Sequence, residues 1–415
     1  MNRRRQPHRI PPPLSHGAES LDAEVVLHEF PDDLGLYLWK TVRSVRLWVE
    51  LPEVERRGAF GREAFGLRME RLRTLPIEGD IRELLETAAT VLRDAEVHLE
   101  AVVTACRLIA AWADRRGALG TALEFTQVAA LLTPGDAELV HCVAKVARQR
   151  GEYARAESWY RQAIAVSRRT HDWISLAGAY LGLGNTFLLR GNHGSARSTL
   201  IRGVRAAERH SLREERALLS HQLAIAAGRA ERSAEVVRHG RSALEGYGSS
   251  HPRLPVLAVD LGVLWTRMGH FQEAAQILAG VSPGEVGPAE RLARAAALAR
   301  ASAALGDAEG YAEAWAEAGR NMEEPMINRE RGEALLDLAY AAVSANEAAH
   351  LRDAVQRYSK LGDSGGDAER RSELERLLDA FGAGGAQEPV RKLSRDGRGL
   401  AADLVATLRP ALVVL

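Results

Sequence analysis

The chain has 415 residues, more than one compact hydrophobic core usually supports, so several domains or growth by stacking is expected. Its 46% hydrophobic content is carried mainly by Ala, Leu and Val, with only 5% aromatics, which points to closely packed helices and away from a β-rich fold. Lys plus Arg equals Asp plus Glu, 55 against 55, so no global field argues for nucleic acid or membrane as partner.

In chain order, the opening MNRRRQPHRIPPP is basic and runs into prolines without an apolar stretch and cleavage site. It is not a secretory signal, and a disordered tail over 1–16 is expected. Leu34, Leu38, Val42, Val45 and Val49 then form an apolar helical stripe beside Trp39 and Trp48, which Pro52 ends. Glu53 to Leu75 and Asp80 to Arg93 read as two or three more helices, with Asp80 as an N-cap. Residues 17–100 are therefore expected to form an N-terminal helical cap region, with a separate partner-binding module as the alternative.

From residue 101 to 361 one pattern recurs. In its clearest copy Tyr180, Leu183, Gly184 and Phe187 mark one helix, Gly191 a turn, and Ala196 and Leu200 the next. The copy near Pro255 repeats this with Leu261, Gly262, Trp265, Gly269, Phe271, Ala274 and Leu278. Weaker copies start near 103, 137, 292 and 332, and a degenerate one over 215–244 has a turn at Gly228 to Glu231 that reads as displaced. Small residues let helices approach and bulky ones fill the gaps between them. Beyond 361, glycine-rich joints flank a short charged helix, Glu369 to Phe381, and an apolar segment from Leu400 ends the chain. Residues 362–415 are expected to be capping helices and a flexible tail.

This pattern resembles the tetratricopeptide repeat (TPR), in the longer form found in bacterial regulatory members. The resemblance implies an all-α fold: a right-handed superhelical α-solenoid of about seven TPR-like helix pairs with an N-terminal helical cap. Such arrays are stabilised by interfaces between neighbouring pairs. In this family the first helix of each pair lines a concave groove. Carried over copy by copy, that places Arg107 and Asp114, then His141, Lys145 and Arg148, then Leu181, Asn185 and Leu188, then His221, then Val259, Asp260, Val263 and Arg267, and lastly Arg300 toward the groove.

Charge is unevenly spread. From Lys145 to Arg241 there are 18 basic and 8 acidic side chains, while Asp307 to Asp353 holds 11 acidic and 4 basic. Solvated outer faces explain this, and so does a binding surface with a positive zone. Lys145 and Arg148 suit a carboxylate or phosphate, and Asn185 suits the backbone of an extended ligand.

Phosphate-loop, His-Glu-x-x-His and Cys-x-x-Cys signatures are not found. Gly182-Leu183-Gly184 follows no strand and is explained by the repeat. Catalysis, a cofactor and a metal are not expected. Cys106 and Cys142 fall within apolar helical patterns as ordinary thiols, which suits a reducing cytoplasm, and no stretch reaches the ~18 apolar residues that span a bilayer. The expected function is a non-catalytic protein-protein interaction scaffold or adaptor whose groove takes a peptide segment or partner protein, with an acidic segment suited to the positive zone. One alternative is a regulatory sensor whose groove binds a small peptide or metabolite and changes conformation. A second is a nucleic-acid-associated regulator through 145–241, disfavoured because base-stacking aromatics are not interleaved with the charges.

Overall fold

The computed structural model describes residues 23–77, 79–93, 99–361, 368–382 and 388–408. Regular structure among them is helical throughout, in 21 α-helices and one 3-10 turn. The tail expected over 1–16 and the end of the apolar C-terminal segment, 409–415, lie outside the described residues. The chain divides into two compact units, Met1–His210 and Ser211–Leu415.

Unit 1 opens with α1 (Ala23–Glu29), α2 (Asp33–Glu50), α3 (Glu53–Ala59), α4 (Arg62–Thr74) and α5 (Asp80–Arg93). Asp32 caps α2 by accepting from the Gly35 amide at 3.1 Å. Asp80 is the first residue of α5, not its cap; its carboxylate meets Arg115 at 3.2 Å. Three pairs follow: α6 (Leu99–Arg115) with α7 (Leu119–Leu132), α8 (Ala137–Gln149) with α9 (Tyr153–Thr170), and α10 (Trp173–Leu189) with α11 (His193–Arg209). Helix α7 is buried on nearly every face, because α1 and α2 cover the side left open by α6 and α8. Its N-terminus is closed by Glu29, whose carboxylate accepts from the Gly120 and Thr121 amides at 2.6 and 2.7 Å. An anion there satisfies donors that have no partner within the helix and meets the positive end of its dipole.

Unit 2 holds four pairs: α12 (Arg213–Arg229) with α13 (Ser233–Tyr247), α14 (Leu254–Arg267) with α15 (Phe271–Gly280), α16 (Pro288–Leu305) with α17 (Ala308–Asn321), and α18 (Asn328–Ser344) with α19 (Ala348–Ser359). Helices α20 (Ala368–Gly382) and α21 (Arg395–Leu408) follow. Trp265, Leu257, Leu261 and Ile277 form the core of α14 and α15 and are fully buried. At roughly 1.5–3 kcal/mol per fully buried large apolar side chain, such interfaces dominate the stability of stacked pairs. Leu400, Ala401 and Leu404 of α21 join this same core.

The seven pairs begin within four residues of the starts read from the sequence, at Leu99, Ala137, Trp173, Arg213, Leu254, Pro288 and Asn328. The length of a repeat comes from long helices, such as α9 with 18 residues and α10 with 17, separated only by His171 and Asp172, and elsewhere from longer connections, over 248–253 and 322–327. Each pair is closed by one residue with positive φ: Gly117, Gly151, Gly191, Glu231, Gly269, Gly306 and Asn346. Glu231 stands seven residues after Ala224, as Gly191 does after Gly184, so the turn of the degenerate copy is in register and not displaced. No described helix is long and apolar enough to cross a membrane.

Candidate functional site: a polar surface on α8 and α10

Helix α8 buries Leu139, Val140, Val143, Ala144 and Ala147, which leaves His141, Lys145 and Arg148 one turn apart on another face. Asp136 starts the helix by accepting from the Leu139 amide at 3.0 Å. Lys145 is exposed, and Arg148 reaches the hydroxyl of Tyr160 on α9 at 3.4 Å. The His141 and Tyr160 rings lie 5.6 Å apart.

Two glycines bring α10 against these groups. A Cβ on Gly178 would lie 3.6 Å from the His141 imidazole, and one on Gly182 would lie 2.2 Å from the Tyr160 ring. Gly182 is thus required for close approach to an aromatic ring, which accounts for the Gly182-Leu183-Gly184 run by packing. One turn beyond Gly182, the Asn185 side chain is half-buried and its Oδ1 is buried without a hydrogen-bond partner. An unpaired buried acceptor costs about 1–3 kcal/mol, so a donor supplied there would be favoured.

Burial, reinforced by the charges of Lys145 and Arg148, pulls the His141 pKa down to about 4, against a hydrogen bond to the Gly178 backbone that raises it. His141 is therefore neutral at pH 7 beside two cations. Burial raises the Tyr160 pKa, although Arg148 opposes this. The surface offers the cations of Lys145 and Arg148, with the buried Tyr160 ring and the half-buried, neutral His141 beneath them, which suits drawing in an anionic group.

The other expected groove residues are placed differently. Arg107 is exposed and pairs with Glu138 at 3.4 Å, while Leu188 is buried with the core. In unit 2, buried His221 is held by Asp260 at 2.9 Å and by the Tyr247 hydroxyl at 3.2 Å. Arg267 pairs with Asp337 at 2.8 Å and Glu333 at 3.6 Å. Arg300, only 6% exposed, pairs with Asp337 at 2.8 Å, grips the Glu388 carboxylate in a bidentate pair, and lies over the Tyr340 ring at 3.9 Å. Burial would lower the Arg300 pKa, but the bonds to Glu388 and Asp337 more than offset it. Burial likewise raises the Glu333 carboxyl, yet Arg267, Arg229, Arg329 and Arg370 pull it down to about 2.

Tyr160, Asp337, Glu333 and Glu388 were not anticipated from the sequence. Asp337 could have been noticed as an acid inside the apolar pattern of α18. A cleft of about 1020 Å³ lined by Trp39, Arg43, Leu47, Leu67 and Arg71 was also unforeseen. The run from Gly362 to Gly366 carries a Gly-x-Ser-x-Gly spacing. It lies outside the described residues.

Residues 136–209, which hold α8 to α11, match the family described as Tetratricopeptide repeat. Similar solved structures include Pseudomonas aeruginosa PilF, 17% identical over 54% of this chain and 92% of that one, with a TM-score of 0.42. A Rap protein complexed with Competence and Sporulation Factor is 11% identical over 87% of this chain and 99% of that one, with a TM-score of 0.45. YrrB, a TPR protein with an unusual peptide-binding site, is 19% identical over 47% and 91%, with a TM-score of 0.33. No curated protein sequence matches the chain.

Proposed function

From the match of residues 136–209 to the tetratricopeptide repeat we propose that the chain is a non-catalytic interaction scaffold whose first unit binds an acidic peptide segment of a partner protein. The surface on α8 and α10 is the docking site. Stacked helix pairs present long continuous faces and bind other proteins by them. The observation that carries the reading is the contrast in how cations are used. In unit 2, Arg267 and Arg300 are neutralised by Asp337, Glu333 and Glu388. In unit 1, Lys145 and Arg148 meet no carboxylate among the described residues, and Asn185, one turn beyond Gly182 on α10, holds an unpaired acceptor.

In this reading, Lys145 and Arg148 draw in side-chain carboxylates of the segment, and Asn185 accepts from one of its main-chain amides. A neutral His141 avoids adding a buried positive charge beside Lys145 and Arg148 until an anion arrives.

The test is capture of partners from native lysate at graded salt, since exposed charge attraction is screened over ~10 Å at 0.1 M. Capture is expected to weaken with salt and to fail for the double variant Lys145→Glu with Arg148→Glu and for Asn185→Ala, both folding normally by circular dichroism. Partners retained unchanged by both variants would refute the site.

A further inference from the structure

In unit 2 a segment without regular structure, Glu388 to Ser394, lies against the turn between α14 and α15 and against α16. Its contacts are of two kinds. At its start the Glu388 carboxylate is gripped by Arg300, with Nε donating to Oε2 at 2.8 Å. Three residues on, the Arg391 amide donates to the Gly269 carbonyl at 2.8 Å, and His270 Nδ1–H donates to the Arg391 carbonyl at 3.2 Å. This is how a short peptide is held by a receptor: one charged anchor and one residue fixed by its main chain.

The segment buries little apolar surface over this stretch. Val390 is 56% exposed, and Pro389 has no amide to donate. Apolar anchoring begins only at Leu393, which is 1% exposed and joins the core beneath α21. Gly269 fits the arrangement twice: its φ of +80° closes the turn, and a Cβ there would come within 2.8 Å of the Pro389 carbonyl oxygen. A cleft of about 610 Å³, lined by Glu231, Ser233, Arg267 and His270 with Glu388 and Arg391, remains beside the segment. Arg300 keeps Asp337 at 2.8 Å, so losing Glu388 would not strand its charge.

We propose that Glu388 and the main chain of Arg391 are an internal ligand, and that the Arg300, Gly269 and His270 site accepts in their place a peptide segment of a partner protein that bears a single carboxylate anchor. The recognised segment carries a carboxylate and, three residues later, a residue whose amide and carbonyl are both free. Leu393 and α21 stay docked during the exchange, so only residues 388–392 leave. This site shares no residue with the one on α8 and α10, and each stands or falls alone.

The test uses the full chain and a fluorescein-labelled peptide, Glu-Pro-Val-Arg-Lys-Leu-Ser, copied from residues 388–394. By fluorescence anisotropy Glu388→Gln is expected to bind it at least ten-fold more tightly than the wild type, because the internal competitor is weakened. Adding Arg300→Lys, which keeps the charge but loses the bidentate grip, should abolish that gain with the circular dichroism unchanged. Excess peptide should also speed hydrogen exchange at the Arg391 amide of the wild type. The proposal is overturned if Glu388→Gln gives no gain, if Arg300→Lys leaves the gain intact, if a peptide with Gln in place of Glu competes equally, or if Lys145→Glu removes the binding.

Discussion

Gly184 on α10 faces Leu200 on α11 so closely that a methyl group at position 184 would sit 2.5 Å from Leu200 Cδ2. Gly262 repeats the relationship with Leu278 at 2.6 Å. Overpacking of this kind costs about 1–3 kcal/mol, so Gly184→Ala and Gly262→Ala are expected to lower urea midpoints accordingly. Leu200→Ala combined with Gly184→Ala should cost less than the two single changes summed. Gly319 in α17 has nothing within 4 Å of a Cβ, and Gly319→Ala should stabilise by about 0.5–1 kcal/mol, through helix propensity alone.

Trp265 is fully buried, and its indole N–H has no hydrogen-bond partner. Its role is therefore volume. Trp265→Ala should cost about 3–5 kcal/mol in chemical denaturation, and Trp265→Phe clearly less, since no polar contact is lost with the indole.

His141 gives a pH signature. Its folded pKa is about 4 against an ordinary 6.5, so between those values the unfolded chain binds more protons than the folded one. Its contribution is complete above pH 6.5 and declines as the pH falls toward 4. In denaturation midpoints followed over that window, the wild type should lose more stability than His141→Gln. An acidic peptide bound at Lys145 and Arg148 should narrow the difference by raising the imidazole pKa.

Asp337 serves two arginines, each at 2.8 Å, and its side chain is only 3% exposed. Asp337→Asn removes the anion and leaves a buried guanidinium underpaired, at a cost of about 3–5 kcal/mol. Thermal and urea melts of the variant check this, and restoring charge with Asp337→Glu should recover part of the loss.

The repeat register was readable in the sequence because it is written locally. Small residues at 184, 224, 262 and 299 and turns seven residues later recur within each copy, and helix periodicity does the rest. The exposure of Lys145 was likewise legible, since α8 is apolar on one face and leaves the other to polar residues. What escaped depends on partners far apart in sequence. Asp337 lies 37 residues from Arg300, and Glu388 lies 88 residues away in a stretch read as a joint, so no periodic signal announced either contact. Leu188 was assigned to the groove by register, yet on α10, apolar on most faces, register alone does not separate outward from inward. Asp80 was read as a cap because helix starts are uncertain by a residue.

The seven closing turns have a wider meaning. Each depends on a single torsion, so what the position demands is a residue able to hold it, not a particular side chain. Asn tolerates that geometry and Glu231 shows that a larger polar residue can, whereas a β-branched residue or proline would force the two helices apart. The exposed faces are thereby released from the task of setting helix geometry. Copies can drift in charge and in what they grip, as the two units have, while remaining interchangeable as building blocks.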